Sequence, residues 1–173
     1  MPGNESVTFI EDYKEATLIA LSHYPELKDC KITFRKKSID STAKTTIYIP
    51  SLFTSQRNYL IFINTNRKQT GFLLTDCTVD IQTGIIGHEL MHVVDFETKS
   101  VLQLIGWVIM YLIQKGRKKI ERGIDTMTIR HGLGDKLLAW NTFVMTNPST
   151  SEKYRKAIVK YYLHPEEIKE LLR

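Results

Sequence analysis

His88 and His92 stand four positions apart in the run His88-Glu89-Leu90-Met91-His92. On an α-helix this spacing sets two imidazoles one turn apart on one face, where both can reach a single ion. A catalytic zinc takes about three protein ligands and leaves a further position to water. Glu89, beside the first histidine, is placed to accept a proton from that water, whose pKa zinc lowers to ~7. The result would be a hydroxide able to attack a carbonyl. Chance produces H-E-x-x-H in roughly one chain in a hundred of this length. Helical projection sets Ile86, Leu90, Val93 and Val94 opposite the histidines, so the helix is expected to bury one face and present the other to a cleft.

A third ligand must come from elsewhere, and Glu121 and Asp125 offer carboxylates four residues apart on one helical face. One can ligate while the other hydrogen-bonds a ligand histidine from behind. Asp95 lies three residues after His92. It could orient a histidine or compete as the third ligand, and orientation is the favoured role, because a carboxylate on the histidines' own helix reaches a shared ion less easily than one from another helix. His131 is a rival ligand and a candidate catalytic residue that binds substrate or stabilises an oxyanion. Arg130, Tyr154, Tyr161, Tyr162 and His164 are further oxyanion candidates.

With H-E-x-x-H followed by E-x-x-x-D, the stretch from Gln82 to Gly134 resembles the gluzincin group of zinc metallopeptidases, including small bacterial members of about this size. The resemblance implies a zincin-like fold and hydrolysis of peptide bonds. It makes Glu121 the third zinc ligand and Asp125 its companion. Ile124 departs from the small residue usual at that position in the larger families. Deformylase-like enzymes pair the same motif with an upstream cysteine in a Gly-rich setting, which is absent around Cys77. The alternative function is a catalytically silent, metal-stabilised binding or accessory protein with the same fold, motivated by the little chain left for specificity subsites.

The elements that must position these residues read as α+β: an N-terminal helix and a small mixed sheet, then the histidine helix and a helical C-terminal half. Helical spacing of Phe9, Tyr13, Ala16, Ile19 and Ala20 predicts a helix over 6–23. Strands are predicted at 31–36, 45–49, 59–64 and 71–74. Either of the last two could be an edge that holds an extended peptide. Helices are predicted over 81–97, with Asp80 as N-cap, and over 101–130, 135–146, 151–162 and 165–172.

At 173 residues and 42% hydrophobic content, one domain spanning 1–173 is expected. The apolar run Val101 to Ile113 falls short of the ~20 residues needed to cross a bilayer. It is read as a buried core helix, with a membrane-resting segment as the alternative that the basic residues after it keep open. Membrane insertion is therefore not expected, and peripheral contact stays open. Part of the net charge of +5 falls on Lys115, Arg117, Lys118, Lys119 and Arg122. Without interleaved aromatics or a nucleic-acid motif, these are read as a solvated helix end where cations complement the dipole, and no nucleic-acid partner is expected. The expected partner is a peptide or protein substrate. Two cysteines without metal-knuckle spacing suit a reduced, cytoplasmic setting.

Overall fold

The computed structural model describes residues 6–173. A two-residue strand β1 (Val7–Thr8) precedes helix α1 (Lys14–Ser22), then strands β2 (Lys31–Lys37), β3 (Ala43–Ile47) and β4 (Asn58–Asn64), and a single turn of helix, α2 (Arg67–Thr70). Six helices follow: α3 (Val79–Glu97), α4 (Val101–Leu112), α5 (Gln114–Thr128), α6 (Gly134–Thr146), α7 (Glu152–Tyr161) and α8 (Pro165–Leu171). The fold is thus mixed α/β, largely helical, with one small sheet.

The sheet runs β1-β2-β4-β3, with β2 parallel to β1 and β4, and β3 antiparallel to β4. Alternation decides which side each strand buries: Ile32 and Phe34 of β2, and Tyr59, Ile61 and Ile63 of β4, enter the core. The strand 59–64 is therefore central, and the edge beside the histidine helix is β3. The expected strand at 71–74 does not form. Gly71 takes φ 92 and caps α2, and Leu74–Asp76 form a 3-10 turn held by the Arg67–Asp76 ion pair. The fourth strand is instead Val7–Thr8, inside the expected first helix, because Val7 finds Ile32 through parallel pairing that local spacing does not encode.

Helix α3 carries the two histidines through the centre, packing on α1, α5, α6 and β3. Its cap is Thr78, whose Oγ1 accepts from Ile81 N, whereas Asp80 sits in the first turn and pairs with Lys136. From Gln82 to Val93 every α3 residue is buried, the histidine face as well as the apolar one. The expected open face is largely covered because α5 lies across it and α4 brings Trp107 near His92, which leaves a cleft between α4 and β3. Close approach of α6 needs Gly84, where an added Cβ would lie 2.2 Å from Lys136 O.

Two expectations fail between 101 and 130. Ile113 adopts extended angles (φ −89, ψ 129) and splits the expected single helix into α4 and α5. Nor is α4 a buried core helix, since only Leu104 is fully buried, while Leu102 and Leu112 are 80% and 82% exposed. The reversal is tight, for a Cβ at Gly116 would lie 2.2 Å from Met110 O.

Gly84→Ala is expected to lower stability by about 2–3 kcal/mol through overpacking of α3 on α6. Gly123→Ala, where an added Cβ meets nothing within 4 Å, should instead be neutral or gain up to roughly 1 kcal/mol from helix propensity. Urea unfolding of both variants tests the contrast.

Candidate metal centre

Three buried side chains from two helices converge. His88 and His92 extend from the same side of α3, and Glu121 reaches them from α5. Glu121 Oε2 lies 3.2 Å from His88 Nε2 and 3.4 Å from His92 Nε2. That carboxylate oxygen is buried and makes no hydrogen bond. Donor atoms about 2.0–2.1 Å from a tetrahedral ion stand roughly 3.3 Å apart, so the spacing suits one small ion between them. Two imidazoles and a carboxylate are also a donor set that zinc accepts. The group could hold a divalent metal.

Two of the three members are held from behind, whereas His92 Nδ1 is buried without a hydrogen-bond partner. Asp125 Oδ1 is 2.8 Å from His88 Nδ1, and Asp125 Oδ2 accepts the backbone N–H of Leu163, also at 2.8 Å. When His88 Nδ1 carries the proton, Nε2 is left with its lone pair toward Glu121. Tyr111 of α4 donates its hydroxyl to Glu121 Oε1 at 2.5 Å. The Arg117 guanidinium, 3.8 Å from the same oxygen, lies between the rings of Tyr111 and Tyr161. Glu121 therefore turns one oxygen to a phenol and a guanidinium, and the other to the histidines.

Burial pulls the His88 pKa down, but Asp125 and Glu121 outweigh it and hold the imidazole well above its ordinary value. For Glu121, burial alone would raise the pKa, and the two histidines drive it well below the usual carboxylate range. Burial, reinforced by Glu121, pushes the Tyr111 phenol up, so it stays a neutral donor. The two carboxylates and the imidazoles thus compensate one another where they are buried.

Glu89 faces the edge strand. Thr45 Oγ1 of β3 lies 2.7 Å from Glu89 Oε2 and 2.9 Å from the Glu89 carbonyl. Glu89, His92 and Glu121 all line a cleft of about 680 Å³ bounded by β3 on one side and by Leu104, Trp107 and Val108 of α4 on the other. A carboxylate, an imidazole and an edge strand therefore share one solvent-reachable chamber.

Two residues singled out from the sequence are elsewhere. His131 stacks on Tyr24, with Nε2 2.9 Å from Glu26 and Nδ1 2.8 Å from Met127 O. Ten residues beyond Glu121, His131 stands about 80° round the helix from it, so its ring faces Tyr24 and Glu26 and not the histidines; Gly132 at φ 82 then turns the chain in the widened segment Ile129–Leu133. Asp95 is paired with Lys99 at 2.5 Å and contacts neither histidine, because its position on α3 points it toward the helix's exposed end. Of the other oxyanion candidates, Tyr154 and Tyr162 line the cleft, and the Tyr162 ring lies 5.5 Å from His88. His164 caps α8 and Arg130 is exposed. Cys77 contacts Leu73 O and, like Cys30, stands outside the group, with burial pushing the two thiols up to about 12 and 11. Sequence reasoning missed Tyr111, Arg117 and Thr45. Arg117 alone left a local signal, four residues before Glu121.

Asp125→Ala should cost roughly 3 kcal/mol or more in denaturant unfolding, since it strands His88 Nδ1 and the Leu163 N–H in a buried place. Asp125→Asn, which keeps an acceptor for one of them, should cost visibly less.

No protein-family model, no curated protein and no solved structure matches this chain, so its chemistry rests on its own geometry.

Proposed function

We propose that this chain is a zinc-dependent metallopeptidase of the gluzincin kind, with a zincin-like arrangement of sheet edge and histidine helix. The observation that carries the reading is the convergence of buried Glu121 Oε2 and two imidazole nitrogens at a spacing that suits one small ion, beside Glu89 on the same cleft. His88, His92 and Glu121 would hold the ion. Bound zinc would supply an acidified water and polarise a carbonyl.

The chain's own residues do the rest. Asp125 holds the His88 Nδ1 proton and so keeps Nε2 available. Glu89 receives the water proton at its carboxylate and later passes it to the leaving amine. When Thr45 donates to Glu89 Oε2 it fixes the rotamer and leaves Oε1 to meet the water. The substrate is a peptide or protein segment, which would lie along the outer edge of β3, where backbone groups not paired to β4 can add an extended strand. Tyr162 and Tyr154, at the cleft wall, take over the oxyanion candidacy that His131 lacks the position to fill.

The test is metal content and proteolysis of the zinc-loaded chain and of Glu89→Gln. The expected outcome is one zinc per chain in both proteins, with chelator-sensitive cleavage of unfolded protein substrates falling about 10²–10⁴-fold in the variant. Unchanged cleavage in Glu89→Gln would remove Glu89 as the base. Zinc held without any cleavage by the wild-type chain would favour a metal-stabilised binding protein instead.

A further inference from the structure

The cleft wall formed by α4 has a second side. Leu104, Trp107 and Tyr111 face the site, and from the cleft rim outward Ile105, Ile109, Leu102, Leu112 and Ile113 follow one another at helical intervals, each more than half exposed. Twelve residues of α4 contain no charged side chain at all. An apolar stripe of this kind on a helix surface marks a place that something covers.

The charges around it indicate what. Residues 98–120 contain five lysines and arginines and no aspartate or glutamate. Lys99 is paired with Asp95, and Arg117 is engaged with Glu121, Tyr111 and Tyr161. Lys115, Lys118 and Lys119 remain exposed and have no ion pair among the described residues. They lie in the first two turns of α5, not at a helix C-terminus as expected from the sequence. At that end the macrodipole is positive, so three lysines there work against the helix, and a facing anionic surface would offset the repulsion. A lysine also reaches past its backbone, so these cations can meet headgroups while the neighbouring apolar stripe enters the acyl boundary.

We infer that α4 and the start of α5 form a docking surface for an anionic lipid bilayer. The helix lies on the membrane and does not cross it: at twelve residues it spans about 18 Å, against a hydrocarbon core of ~30 Å, and no helix among the described residues is long and apolar enough to span. Because Ile105 and Ile109 also line the cleft, docking would hold the mouth of the candidate site at the lipid surface. The inference does not depend on whether that site turns over peptide.

Vesicle flotation with the full chain tests it, using phosphatidylcholine alone and phosphatidylcholine mixed with phosphatidylglycerol. The wild-type chain should partition onto the anionic vesicles at least about tenfold more strongly, and added salt should weaken that binding. Replacing Lys115, Lys118 and Lys119 together by Gln should erase the preference for anionic vesicles. Leu102→Ser with Leu112→Ser, both outside the cleft, should abolish binding to either vesicle without lowering the melting temperature. Failure of the wild-type chain to float with anionic vesicles, or equal binding to both kinds, would overturn the inference. So would a dimer in sedimentation that the two serine substitutions dissociate, because a second copy would then be the occupant.

Discussion

Burying two carboxylates, Glu121 and Asp125, is the constraint on which the centre of this protein turns. Both carboxylates are fully buried. An isolated ion in such a place would cost several kcal/mol or more, so each must meet a compensating group. Asp125 meets His88 and a backbone N–H, and Glu121 meets Tyr111, Arg117 and the two imidazoles. These contacts tie α3, α4, α5 and the segment leading into α8 to one point. The small sheet then needs only to supply the floor and, through Thr45, a hydroxyl for Glu89.

One oxygen of Glu121 is left to the imidazoles alone. Glu121 Oε2 has no hydrogen bond, and its neighbours are imidazole nitrogens near the separation that a tetrahedral ion imposes on its ligands. A cluster of one carboxylate and two imidazoles at this spacing could hold a cation. The proposal of a metallopeptidase rests on that oxygen together with the open approach to Glu89.

The same demand accounts for the exposure of α4. Its Tyr111 is bound to Glu121, and its Trp107 packs edge-on against Phe96 and stacks on Tyr111. With that face committed to the centre and no other element among the described residues covering the helix, its outer apolar side stays at the surface beside lysines that have no ion pair among those residues. A helix this apolar looks internal in sequence. Its position at the rim follows from which face holds the carboxylate.

The local pattern determined the chemistry-bearing residues: the i,i+4 spacings of His88 with His92 and of Glu121 with Asp125 are properties of single helices, readable wherever helical periodicity is. The strands 31–37, 43–47 and 58–64 were legible within a few residues for the same reason. Tertiary structure decided the rest. Glu121 meets the histidines only because α5 packs across α3. His131 is lost to the site because its face of the helix packs on Tyr24 and Glu26, and Val7–Thr8 becomes a strand because Ile32 lies beside it. Neither the edge role of β3, nor the partnership of Thr45 with Glu89, nor the outward face of α4 leaves a mark in local spacing. Each depends on contacts between segments far apart in the chain, whose register is set by the shared core and not by neighbouring residues.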